Sequence, residues 1–152
     1  MFRDASDEAY AAVLYIRNTY NSSQVIIRLV KASSKLAPKK TLSVPKLELN
    51  AALLSSRVDA ATQSCITHPI HQRFIWTDSS TGRNRIRATA SFYQIFVSNR
   101  IREIQTLTET EEWRFVPGRL NTADTATRSA IGEEVWPNFW QDGPEFLLQT
   151  RI

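Results

Sequence analysis

Residues 74–80 read FIWTDSS. Phe74, Ile75 and Trp76 have the apolar, branched and aromatic character of a short strand, and a lone acid, Asp78, follows at once. A carboxylate at the edge of an apolar core is costly unless something pairs with it. A short apolar run without alternation also suits a strand covered by helices on both faces. The stretch therefore predicts a buried strand that ends on an acid with a functional role.

The pattern upstream is of another kind. Phe2–Asp4 predicts a short strand and 5–8 (ASDE) a tight turn. Ala9–Arg17 (AYAAVLYIR) and 24–33 (QVIIRLVKAS) predict two longer strands, and the polar 18–23 (NTYNSS) between them pairs them antiparallel. A basic loop with Pro38 follows. Residues 45–65 then predict a long helix. Pro45 sits at its start, Ser43 is placed to cap it, and Leu47, Ala51, Leu54, Val58 and Ala61 recur at helical spacing.

Downstream of the quoted stretch, 79–91 is poorly patterned, because Gly82 and three arginines weaken any helix. Residues 92–107 predict a helix with Phe92, Phe96, Ile101 and Ile104 on a broad face. Residues 112–117 (EWRFVP) predict a fifth strand and 121–130 (NTADTATRSA) a loop entering a helix; the Trp- and Pro-rich tail reads as irregular. The order β-β-β-α-β-α-β-α implies an α/β protein with a mixed five-stranded sheet and helices on its faces.

Composition narrows the class. The chain has 152 residues, 42% hydrophobic and 22% charged, as expected of one globular domain. The net charge of +4 permits an acidic partner without demanding one. A single cysteine, Cys65, excludes an intrachain disulfide and reads as structural. No apolar run approaches the roughly 18 residues of a membrane span, and 1–10 lacks a signal core. The expected setting is intracellular, cytoplasmic or nuclear, with no membrane partner.

Four acids fall at the ends or edges of these elements: Asp4 at the end of the first strand, Glu48 in the long helix, Asp78 after the fourth strand and Asp124 at the last helix. Sites in open sheets collect beyond strand carboxyl ends, so the four can share one pocket. Carboxylates at close range repel and take up protons unless cations neutralise them. Hard divalent ions with oxygen ligands answer that need; Mg²⁺ suits it, because it keeps waters for substrate phosphates. Two such ions about 3.5–4 Å apart activate a water and stabilise a leaving oxygen in phosphodiester cleavage. With fifteen acids in the chain, spacing alone is a weak signal, and each of the four also reads as an ordinary cap or surface acid.

The words around the acids are more specific. FRDASDEAYAAVLYIR (2–17), KLAPKKTLSVPKLELNAALLSSRV (35–58), FIWTDSS (74–80), FVSNRIREIQTLT (96–108) and EWRFVPGRLNTADTATR (112–128) follow in order. Together they resemble the ribonuclease H-like domain of Bel/Pao-type LTR retrotransposon polyproteins, and 140–147 (WQDGPEFL) resembles that family's ending. The resemblance implies a ribonuclease H-like fold over 1–147 with a truncated first strand, and 148–152 as a C-terminal tail. It implies that Asp4, Glu48, Asp78 and Asp124 are the catalytic, metal-binding acids for two Mg²⁺ ions, with Mn²⁺ a substitute. The implied substrate is the RNA strand of an RNA–DNA hybrid, and the implied neighbours are reverse transcriptase and integrase regions of a parent polyprotein, absent here. Gly82 and Arg83 stand where aliphatic residues are expected, Phe115 where a histidine is frequent, and Thr122 where a proline is expected. These departures leave a second reading: a catalytically inactive fragment with a structural or nucleic-acid-binding role. An integrase-type core fits less well, since no matching late glutamate follows in a long helix.

Two basic groups complete the reading. Lys31, Lys35, Lys39, Lys40 and Lys46 precede or enter the long helix, and Arg83 and Arg85 (with Arg87) follow Asp78. Either they are solvated faces or they track a nucleic-acid backbone. Asp7, Asp59 and Asp142 are expected to be solvated, His68 and His71 to be surface histidines, and Trp113, Trp136 and Trp140 to pack in the core or at its edge.

Overall fold

The computed structural model describes residues 1–20, 24–39, 42–128, 139–149 and 152. Five strands form one sheet: β1 (Phe2–Ala5), β2 (Ala9–Tyr20), β3 (Gln24–Leu36), β4 (Ile75–Thr77) and β5 (Trp113–Phe115). Their order is β3-β2-β1-β4-β5. β1 pairs antiparallel with β2, and β2 with β3; β1 and β4 are parallel, as are β4 and β5. This is a mixed sheet of the ribonuclease H-like α/β kind. The parallel pairs are those whose connections contain helices, because a parallel partner needs a crossover.

Helices lie on both faces: α1 (Val44–Gln63), α2 (Ser80–Arg87) and α3 (Ile95–Leu107) on one, α4 (Ala123–Thr127) and α5 (Phe139–Asp142) on the other. On the first face Leu49, Ala52 and Leu53 of α1, Ile86 of α2, and Ile101 and Ile104 of α3 close over Ile75 and Trp113. On the second, Phe2, Val13, Tyr15 and Ile27 meet Val116, Ala123 and Leu147. Trp76 joins them, its ring 5.1 Å from Phe146 in an edge-to-face contact. Ile75 and Trp76 thus serve opposite cores, as strand alternation requires.

α1 is buried nearly all round, from Leu47 to Asp59 with few gaps, because it is wedged between the sheet and α3. Pro45 falls at its first turn, as expected, but Ser43 makes no side-chain cap. Ala61 is exposed, beyond the buried stretch.

Several expectations need correction. Residues 80–87 do form a helix. The Ser79 hydroxyl accepts a hydrogen bond from the Gly82 amide at 3.0 Å, and Ile86 is fully buried, so a cap and one anchor outweigh poor propensity. α3 begins only at Ile95; Phe92 lies in the 3-10 turn ahead of it. Phe96 leaves the core face and is stacked under the Arg100 guanidinium, 3.5 Å from the ring centroid. Asp59 is not a solvated acid: it is 8% exposed, accepting from Arg73 at 3.0 Å and from Gln63 at 2.6 Å.

Other expectations hold. Asp7, His68 and His71 are exposed, Trp113 is fully buried, and Asp142 pairs with Arg28 only at 3.4 Å in solvent. Cys65, read as structural, is instead exposed just past the end of α1. Trp140 packs at the edge of the second core, while Trp136 lies outside the described residues. Among the described residues no helix is long and apolar enough to cross a membrane.

The contrast between two acids gives a stability test. Asp59→Ala strands the half-buried Arg73 without one of its two carboxylates and is expected to cost about 2 kcal/mol in urea unfolding. Asp142→Ala removes only an exposed pair and should cost less than about 0.5 kcal/mol.

Candidate metal centre

Three of the predicted acids meet at one end of the sheet. β1 and β4 run parallel with Phe2 opposite Trp76, so Asp4 and Asp78, each two residues further on, arrive side by side. Glu48 enters from the first turn and a half of α1. One carboxylate oxygen from each of Asp4, Glu48 and Asp78 lies within 4.8 Å of the others. They line an open cleft of about 400 Å³ with Pro45, Ser79 and Gly82.

Local structure fixes each acid. The Thr127 hydroxyl donates to Asp4 Oδ2 at 2.5 Å, and the Ser6 hydroxyl donates to the Thr127 carbonyl at 2.8 Å, so the end of α4 is stitched to β1 and the turn after it. Asn121 adds a second stitch through Nδ2 to the Arg3 carbonyl at 3.0 Å. The backbone after β4 turns where the Ser79 amide donates to the Thr77 hydroxyl at 3.0 Å, and this turn presents Asp78. Gly118 passes close by; a methyl group there would lie 3.2 Å from Asp78 Oδ2. Glu48 is held by Arg3, whose Nη1 donates to both Glu48 Oε2 at 2.5 Å and the Glu48 carbonyl at 2.7 Å.

Asp124 stands apart from this trio. Its carboxylate takes a two-point pair from Arg128, with Nη2–Oδ2 at 2.7 Å and Nε–Oδ1 at 3.0 Å. It is close enough to act on Asp4 through space but is not among the three acids that converge.

Burial and mutual repulsion act on Asp4 and Glu48. Burial pushes the Asp4 carboxyl above its ordinary 3.8; the Thr127 hydroxyl opposes this, and the charges of Asp78 and Asp124 add to it. Burial likewise raises Glu48 above 4.5, against the pull of Arg3 and with the push of Asp4 and Asp78. Hard oxygen donors that resist ionisation when empty are a suitable cradle for one divalent cation, which removes the reason for the shift.

These acids also fall inside a recognised family. Residues 1–79, just over half of the 152, match the Pao retrotransposon-like RNaseH-like domain. The chain belongs to the Pao retrotransposon RNase H-like family. Asp4, Glu48 and Asp78 of this Pao RNase H-like domain all lie in the matched span, and Asp124 lies beyond it. Comparison with curated proteins and with solved structures found no match to either.

The basic residues of this domain lie on several elements. Lys31 and Lys35 are exposed on β3, the edge strand, opposite Leu14 and Tyr10 of β2. Those two side chains belong to the face that α1 covers, and α1 stops short of β3, leaving the lysines open. Lys39 is exposed, and Lys40 lies outside the described residues. Lys46 sits over the Phe96 ring at 5.5 Å from its centroid. Arg85 donates to the Pro45 carbonyl at 3.3 Å, tying α2 to the start of α1 at the rim of the cleft, and Arg83 is half-buried.

Sequence reasoning missed Arg3, Asn121 and Thr127. Only Arg3 left a signal: a cation inside a strand expected to be buried, directly before a site acid.

The raised carboxyls carry a sign that can be measured. Groups whose pKa rises on folding bind more protons in the folded state, so with a chelator present they destabilise the protein as pH climbs from the ordinary carboxylate range through their raised values. The thermal midpoint of the parent should therefore fall over that window more steeply than that of Asp4→Asn, and Mg²⁺ or Mn²⁺ should abolish this extra fall. Equal pH profiles for parent and variant would contradict the assignment.

Proposed function

We propose that this chain is the nuclease domain of a retrotransposon polyprotein and hydrolyses the RNA strand of RNA–DNA hybrids. The observation that carries this reading is the convergence of Asp4, Glu48 and Asp78 at an open cleft, from three separate elements. Three carboxylates, two of them raised in pKa by burial, with no Cys or His among them suit Mg²⁺, or Mn²⁺ as its substitute. When bound, two such ions supply a water of lowered pKa and neutralise charge at the scissile phosphate and the departing oxygen.

The residues do the positioning. Asp4 and Asp78 offer oxygens side by side from parallel strands. Glu48, anchored by Arg3, approaches from α1 and is placed to orient the water or the ribose. Asp124 serves as the fourth ligand once Arg128 releases it. The openness of the cleft suits a duplex backbone. Lys31, Lys35, Lys39, Lys40, Lys46, Arg83 and Arg85 are the residues proposed to contact phosphates without reading bases; an A-like hybrid is recognised by shape and by its 2′-hydroxyls. Reverse transcriptase and integrase regions are the neighbours expected in the parent polyprotein.

A second reading draws on a specific feature. Arginines already engage Glu48 and Asp124, as in a fold that keeps its basic surface and has lost cleavage. One assay separates the two. The purified chain is incubated with a labelled RNA–DNA hybrid, with Mg²⁺ or with chelator. The nuclease reading expects Mg²⁺-dependent cleavage of the RNA strand and a loss of about a hundredfold or more in Asp78→Asn, as for removal of one charge-stabilising group from an active site. Cleavage by Asp78→Asn at the parent rate would refute the assignment; hybrid binding without cleavage by the parent would establish the second reading.

A further inference from the structure

Arg3 is the residue of this site that the ordinary description of a carboxylate cradle does not require. Strand alternation turns it to the face of the sheet that packs against α1, opposite to Phe2, and it is 0% exposed. Nη1 spends its bonds on one residue, clamping both the carbonyl and the carboxylate of Glu48. Nε and Nη2 have no hydrogen-bond partner. The guanidinium is closed in by the Trp113 ring, 5.6 Å from its centroid, and by α2, where a methyl group on Gly82 would lie 2.5 Å from Nη2.

A buried guanidinium with two idle nitrogens is expensive as a structural strut, since buried donors are ordinarily satisfied. What the arrangement provides is a fixed positive charge in contact with one of three clustered acids. With all three carboxylates ionised, the guanidinium brings the charge of the cluster to −2. Without Arg3 the cluster would hold −3.

We propose that Arg3 is the resident counter-cation of Glu48, a fixed charge that neutralises this carboxylate beside Asp4 and Asp78 and opposes the metal for it. This rests on the metal-holding reading of the three acids. Gly82 then has a place in the same device. It is the residue in the first turn of α2 whose missing side chain leaves room for the guanidinium, which accounts for a glycine where an aliphatic residue was expected.

The test uses the whole chain and the metal alone. Mg²⁺ and Mn²⁺ chlorides are titrated calorimetrically into parent, Arg3→Met and Arg3→Gln at one buffered pH, and thermal midpoints are recorded in chelator and in excess metal. Removing a unit charge a few ångströms from a divalent ion in a partly enclosed site should tighten metal binding about tenfold or more. The metal-induced rise in midpoint should grow with it, while the midpoint in chelator falls. If a variant is unfolded in chelator, millimolar Mn²⁺ should restore its fold, because the ion takes over the neutralising charge. Metal binding by both variants at parent affinity or weaker, or a variant that stays unfolded with the ion, overturns the proposal and leaves the metal reading standing on the parent's own uptake. No uptake by the parent or either variant overturns the metal reading itself.

Discussion

The parallel pairing of β1 with β4 is the constraint on which this structure depends. The two strands are more than seventy residues apart in the chain and carry their acids at equivalent positions past one aligned pair, Phe2 opposite Trp76. An antiparallel pairing would send Asp4 and Asp78 to opposite ends of the sheet. Parallel pairing requires a crossover, and the intervening chain supplies one: β2 and β3 extend the sheet away on one side while α1 returns across its face. α1 is therefore both the connection that permits the pairing and the element that brings Glu48 to it. Fold and site are one arrangement, since shifting β1 against β4 by a single residue would turn one acid onto the other face.

Bringing three acids together at the rim of a core costs free energy, and the surroundings show how that cost is met. Thr127 offers Asp4 a hydroxyl, and Arg3 offers Glu48 a charge. Neither is sufficient, for both carboxyls remain raised above their ordinary values. A site left short of positive charge in this way is poised for a cation. The same logic separates Asp124 from the trio: its two-point pair with Arg128 satisfies it locally, so nothing in the cation-free protein draws it into the cleft.

How much of this was legible in the sequence follows from the range of each interaction. The strands were readable because branched and aromatic residues run together in β2, β3 and β4, and α1 because its apolar residues recur at helical spacing. Asp78 was readable because an acid after FIWT contradicts its surroundings. What escaped depended on partners far away in the chain. Asp59 sits amid helix residues like any surface acid, and only Arg73, brought over from the loop before β4, reveals that it is buried. α2 was missed because propensity was the only local evidence, while the burial of Ile86 against α3 and β5 decides the matter. Thr127 and Asn121 act on β1 across more than a hundred residues, and no spacing rule reaches that far.

Gly82 shows the same point from the other side. In sequence it is a blemish in a weak helix, a glycine followed by charges where aliphatic residues would make a better core. In the structure the helix forms nonetheless, and the space a side chain would fill is occupied by a guanidinium from β1. The departure at Gly82 is thus tied to the presence of Arg3, and the two make sense only as a pair. A larger residue at 82 would press the guanidinium against Trp113 or against Glu48, and either movement would alter the acid that faces the cleft. A feature that reads as decay along the chain is, in space, the accommodation that lets a buried cation stand beside the acids.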